Sequence, residues 1–172
     1  MMTGSGQGLN QPSGPSGVGG AGNIELPIFD WLLLNGAFAD TLNGGRISTS
    51  NLPVIAQAPA IQFKVDLFDL KITSNLLIAV ICGHSTINQD LDIDFEYVVV
   101  NPGENFNTKA MEAVLNLTPT TPNIAYNRFV MLFTVPVDQL VANGSFEGRI
   151  IRNIGGETGD LHIWQIRAYQ VG

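Results

Sequence analysis

Apolar side chains recur at every second position along much of this chain, and that alternation admits strands and little else. Ile61, Phe63, Val65 and Leu67 alternate with Gln62, Lys64 and Asp66, the pattern of a strand buried on one face. Leu91, Ile93, Phe95, Tyr97 and Val99 repeat it up to the turn Asn101-Pro102-Gly103. Phe129, Met131, Phe133 and Val135 repeat it again before Pro136. Leu76 to Cys82 is an unbroken apolar run of seven residues, read as a central strand buried on both faces. A transmembrane helix needs roughly 20 such residues.

The phase slips once, so that Phe68, Leu70 and Ile72 carry on where Leu67 leaves off. One extra residue there predicts a bulge or a strand that crosses between sheets. Met111, Ala113, Leu115 and Leu117 share a strand face, although residues 108–116 also satisfy a short helix on propensity. Val137 to Leu140 reads as a short connection and Asn143-Gly144 as a turn. Phe146–Ile154 and Asp160–Val171 then read as the last two strands. The expectation is an all-β fold: a jelly-roll-like antiparallel β-sandwich of eight or nine strands over residues 43–172, preceded by a flexible Gly-rich N-terminal arm.

The arm is residues 1–23, with eight of the 19 glycines, two prolines, three serines and no charge. It buries too little to repay its own ordering entropy, so it reads as a linker or as an arm threading along neighbouring subunits. Residues 24–42 are dense in Ile28, Phe29, Trp31, Leu32, Leu33, Leu34 and Phe38. Pro27 is placed to open a short helix that Asn35-Gly36 would stop. This segment either caps its own domain or anchors against another subunit. Ile28, Phe29, Trp31, Leu32, Leu34 and Phe38 are its candidate partner-binding residues.

In 172 residues there are 8 basic and 15 acidic side chains, a net charge of −7. A nucleic-acid binder needs clustered Lys and Arg to displace counterions, so none is expected, nor is a membrane partner or a secretory signal. The lone Cys82 makes no internal disulfide and reads as inert in its apolar strand.

Candidate chemistry is sparse. Gly17 to Gly22 spells GxGxxG but follows no strand, so no dinucleotide cofactor is expected. Asp90, Asp92, Asp94 and Glu96 share a strand face; that spacing would suit a hard cation, or a solvated face balanced by neighbouring Lys and Arg, and it does not fit an EF-hand loop. His84 and His162 read as structural, with Gly83-His84-Ser85 adjacent only in sequence. No catalytic, cofactor or metal residues are assigned. Trp164, Tyr169, Tyr97, Tyr126, Arg149, Arg152 and Arg167 are the residue types of a sugar-binding face, and equally those of an ordinary sandwich. Asn116-Leu117-Thr118 and Asn143-Gly144-Ser145 match the glycosylation sequon by accident.

From Phe129 to Gly172 the chain resembles β-sandwich virion structural proteins of tailed bacteriophages, of head-fibre, decoration or tail-fibre type. The alternating Phe129–Val135, the Val137–Leu140 connection, Gly148–Asn153, the turn-rich Gly155–Asp160 and the aromatic closing strand Leu161–Gln170 carry the likeness. The resemblance implies a non-enzymatic virion component, commonly a homotrimer, attached to other virion proteins through residues 1–42. The absence of a fibre shaft or repeat favours a capsid or neck component over a tail fibre. The alternative reading is a receptor- or glycan-binding β-sandwich module.

Overall fold

The computed structural model describes residues 23–34, 37–39, 49–52, 59–68, 71–105, 108–153 and 158–170. The glycine-rich arm and its GxGxxG string lie outside the described residues except for Asn23. Eleven strands are described: β1 (Ile24–Leu26), β2 (Ile28–Leu34), β3 (Ala37–Ala39), β4 (Thr49–Leu52), β5 (Ala60–Asp66), β6 (Leu76–His84), β7 (Ile93–Val100), β8 (Glu112–Leu117), β9 (Phe129–Val135), β10 (Ser145–Arg152) and β11 (Leu161–Gln170). Sheet I runs β3-β4-β11-β6-β9, with β1 also pairing with β11, and sheet II runs β2-β5-β10-β7-β8. All these pairings are antiparallel.

The eight strands from β4 onward follow jelly-roll order, with β4-β11-β6-β9 packed on β5-β10-β7-β8. The fold class is therefore the one that the alternation predicts. The strand count exceeds eight or nine because residues 24–39 contribute three edge strands. β1 pairs with the end of β11, Ile24 opposite Gln170 and Leu26 opposite Ala168. The chain then crosses to sheet II at Pro27, which has no N–H to leave unpaired, and β2 pairs with β5. The predicted short helix gives way to strand here. Two open sheet edges supply backbone partners to Ile, Phe and Trp, residues that fit a strand at least as well.

β2 sorts the candidate partner-binding residues. Ile28, opposite Val65, is half-buried against the core, whereas Phe29 and Leu32 face out opposite Lys64 and Gln62, with exposures of 46% and 50%. Trp31 falls at the register shift between Phe29 and Leu32, Leu34 pairs with Ala60, and Phe38 on β3 pairs with Ser50.

Elsewhere too the phases resolve locally. Leu67 is fully buried while Phe68 is 66% exposed. The Phe68 N–H donates to Asp66 Oδ1 at 2.8 Å, ending β5 in a turn as the chain passes to sheet I. Neither a bulge nor a strand crossing between sheets is described at this point: β5 ends at Asp66, and Asp69 and Leu70 lie outside the described residues. Residues 112–117 are strand rather than helix.

The core is a stack of rings. Phe63 on β5 and Phe95 on β7 stack with centroids 6.5 Å apart, and Phe95 meets Phe133 of sheet I at 4.7 Å. Tyr97 and Phe146 stack at 5.6 Å. Phe63 can reach toward Phe95 because Gly148, opposite both Phe63 and Tyr97 on the intervening β10, has no side chain. A Cβ there would stand 2.6 Å from Phe63 Cζ.

Gly148→Ala is therefore expected to lower stability by about 1–3 kcal/mol through overpacking. The shift of the urea midpoint measures it, and Phe63→Leu in the same chain should recover part of the loss.

Candidate functional site

β11 carries the residues that converge. Its pairing with β6 runs Leu161–His84, His162–Gly83 and Ile163–Cys82, shifts at Trp164, and resumes at Gln165–Ile81. Trp164 is the extra residue of a β-bulge, a device that re-aims side chains. Before it the inward positions are Leu161 and Ile163; after it they are Ile166 and Ala168. Gln165, Arg167 and Tyr169 consequently share the outer face with His162. Without the slip, Arg167 and Tyr169 would lie on the opposite face.

Gly83 makes room at one end of this row. A Cβ there would lie 3.1 Å from the Trp164 ring and 3.2 Å from the Tyr126 carbonyl oxygen. The indole and the loop before β9 therefore pack over β6. The Trp164 Nε1 atom is buried and, among the described residues, without a hydrogen-bond acceptor. Tyr126 holds φ at 62°, a left-handed conformation that a bulky side chain adopts at a cost. Its N–H donates to the His84 carbonyl at 2.7 Å, and its ring lies 5.6 Å from that of His162. Tyr126 is 42% exposed, with its carbonyl and the Trp164 ring both over Gly83.

Further along β11, Arg167 Nη1 donates to the Tyr169 hydroxyl at 3.2 Å, and Glu25 on β1 lies 3.7 Å from Arg167 Nε. Where the chain leaves β1 at Pro27, a cleft of about 530 Å³ opens between Glu25–Ile28 and Gln165–Arg167. Ligand clefts span roughly 300–1,000 Å³. On β9, Val130 and Leu132 stand out on the same face, opposite Ile81 and Ala79.

Of the seven candidate sugar-face residues, Trp164, Arg167 and Tyr169 lie along this face of β11, Tyr169 buried at 8% exposure, and Tyr126 lies over the start of the strand. Arg149 belongs to the outer face of sheet II, with its guanidinium 3.6 Å from Glu96 and 3.4 Å from Gln62. Tyr97 and Arg152 point into the core, at 3% and 1% exposure. Arg152 Nη1 donates to the Leu52 carbonyl at 2.7 Å, and Nη2 donates to His84 Nε2 at 3.4 Å. Accepting at Nε2 leaves the His84 proton on Nδ1, facing the Thr86 hydroxyl at 2.8 Å.

The neighbouring Ser85 turns its Oγ to accept the Asp160 N–H at 2.7 Å. The four carboxylates each find protein partners. Thr120 donates to Asp90, Asn153 Nδ2 serves Asp92 and Asp94, and Arg149 pairs with Glu96. Among the described residues no three His, Cys, Asp or Glu side chains are placed to hold a metal. Cys82 is buried, and burial pushes its thiol pKa far up. No described helix is long and apolar enough to cross a membrane.

No protein-family model matches the chain, and no curated protein is significantly similar in sequence. Among solved structures it is similar to the CBM22-1 xylan-binding domain of Paenibacillus barcinonensis Xyn10C, at 7% identity and a TM-score of 0.50, covering 89% of this chain and 98% of that one. The xylan-binding module CBM15 matches at 12% identity and a TM-score of 0.47, over 88% and 97%. The enzymatically active domain of bacteriophage CBA120 tailspike protein 4 matches at 9% identity and 0.43, over 80% of this chain and 19% of that one. At such identities the likeness is one of fold.

Burial holds both His84 and His162 below the ordinary histidine range, opposed at His84 chiefly by its hydrogen bond to the Thr86 backbone and at His162 by Asp160. The folded state favours the neutral form, so below about pH 6.5 the unfolded chain binds more protons and stability is lost as the pH drops. Thermal melts between about pH 7.5 and about pH 5.5 should show this loss, with a shallower slope in His84→Gln.

Proposed function

We propose that the protein is a glycan-binding β-sandwich module whose binding face is the outer side of β11. The observation that carries this reading is the bulge at Trp164. It gathers an indole, an amide and a guanidinium on one side of the strand, beside a 530 Å³ cleft and the exposed Tyr126 ring. Aromatic faces stack on the apolar side of a sugar ring, while planar amide and guanidinium groups hydrogen-bond its hydroxyls. The chemistry asked of these residues is binding. Both ring nitrogens of His84 are taken up by Thr86 and Arg152, and the His162 ring packs on Tyr126.

A second reading places the module in a bacteriophage virion, as a capsid-decoration, head-fibre or neck protein. In it residues 1–42 dock onto other virion proteins and the chain forms a homo-oligomer, a trimer by resemblance. It is favoured by Phe29 and Leu32, exposed on an edge strand whose backbone has an open side among the described residues. The two readings are compatible, since the β11 face and the β2 edge belong to different sheets.

A glycan array followed by calorimetric titration tests the first reading. Trp164→Ala and Arg167→Ala should each weaken the best ligand by about thirtyfold, as truncated aromatic and Arg anchors do. Tyr126→Ala, at an exposed loop position, should also weaken it without loss of fold. Absence of saturable binding across the array would sink the proposal. For the second reading, light scattering should show an oligomer for the full chain and a smaller species for a chain beginning at Asn23. A truncation at 42 would be uninformative, because it removes β1, β2 and β3 from the sheets.

A further inference from the structure

Sheet I ends at β9, and among the described residues no strand pairs with the outer edge of that strand. β9 runs along β6 for seven consecutive residue pairs without a register shift, and Phe129–Val135 carries no charge. The two edges of sheet II differ. β2 and β8 each contain a register shift and an acidic residue, Asp30 and Glu112. β3, at the far end of sheet I, has only three residues. Bulges, charges and short length are the devices that keep an edge from pairing with another chain. Within β9 none of them is present. Its outer side chains Val130 and Leu132 are 38% and 46% exposed, while Met131, Phe133 and Val135 are buried.

We propose that β9 pairs antiparallel with β9 of a second copy about a two-fold axis at Leu132, joining two copies of sheet I into one. The strand and its flanks fit that occupant. Centred on Leu132, the pairing sets Phe129 opposite Val135 and Met131 opposite Phe133, so buried positions meet buried positions along the seam. On the outer side Val130 meets Thr134 and Leu132 meets its own copy. The flanks carry opposite charges: Arg128 precedes β9, and Asp138 lies in the 3-10 turn Val137–Gln139 that follows it. Both are exposed, and neither has an ion-pair partner among the described residues. The same register sets Arg128 opposite Pro136 of the partner subunit and diagonal to the partner's Asp138, within reach of a long side chain. Symmetry repeats that pair at the other end of the seam. A net charge of −7 opposes self-association over the surface as a whole, and β9 is an edge where that opposition is absent. The axis stands upright on the joined sheet, so both β11 faces look the same way, five strand spacings or about 24 Å apart. That last consequence alone rests on the glycan reading, and it would let one surface be held twice.

The test is sedimentation of the full chain without glycan, so that it stands whether or not the β11 face binds a sugar. One strand pair is at the small end of interface sizes, so the mass should double across about 5–500 µM. Leu132→Lys sets two ammonium groups face to face and should halve the mass. Arg128→Glu and Asp138→Arg should each weaken the pair about tenfold, since the axis doubles every change. The double swap should restore it, and Glu147→Arg on the central strand β10 should leave it unchanged. Leu132→Cys should cross-link on mild oxidation, because directly opposite residues have Cα atoms about 4.5–5.5 Å apart and a disulfide accepts about 4.4–6.8 Å. Thr134→Cys, about 13 Å from its own copy in this register, should not. Cys82 is buried and takes no part. A full chain that stays monomeric, whether the edge is bare or taken by residues 1–22, would overturn the proposal. So would an oligomer whose mass Leu132→Lys leaves unchanged.

Discussion

The ring of Phe63 reaches toward that of Phe95 over the middle strand of sheet II only because position 148 has no side chain. The rest of the sandwich is arranged around that meeting. Phe95 passes the contact to Phe133 in sheet I, so one aromatic stack joins both sheets. Neighbouring inward positions on β5, β7 and β10 then fall into register, and their outward neighbours are committed to solvent. On sheet II that outward set is polar, with Gln62, Arg149 and Glu96 linked across three adjacent strands.

The strict alternation of β5, β7 and β9 made those strands legible, because each has one buried and one solvated face. The unbroken Leu76–Cys82 run was legible for the opposite reason: β6 lies between β11 and β9 with both faces covered. β1 and β2 were not. Their residues are apolar on the side that meets the core and on the side that does not, as Ile28 and Phe29 show, so periodicity carries no phase. Composition cannot reveal that sheet edges are waiting for partners.

The candidate site was legible as a set of residue types and illegible as a place. Seven aromatic and arginine residues were singled out; three lie along one face of β11. What separates them is parity along β11, and the bulge resets that parity. A trace of it is in the sequence, where the apolar positions step from Leu161 and Ile163 to Ile166 and Ala168. Arg152 gives no such trace. A buried guanidinium is costly unless its donors are satisfied, and two of the groups that receive its bonds, Leu52 and His84, are 100 and 68 residues away in the chain.

Ile24 pairs with Gln170, so the first and last described strands leave the sandwich side by side at one corner. Tension applied between these two points does not shear the sheets past one another. It peels β1 from β11 a residue pair at a time, the mode in which backbone hydrogen bonds break singly. A pull that starts at this corner therefore meets the three-residue first strand as its fuse, before any force reaches the aromatic stack.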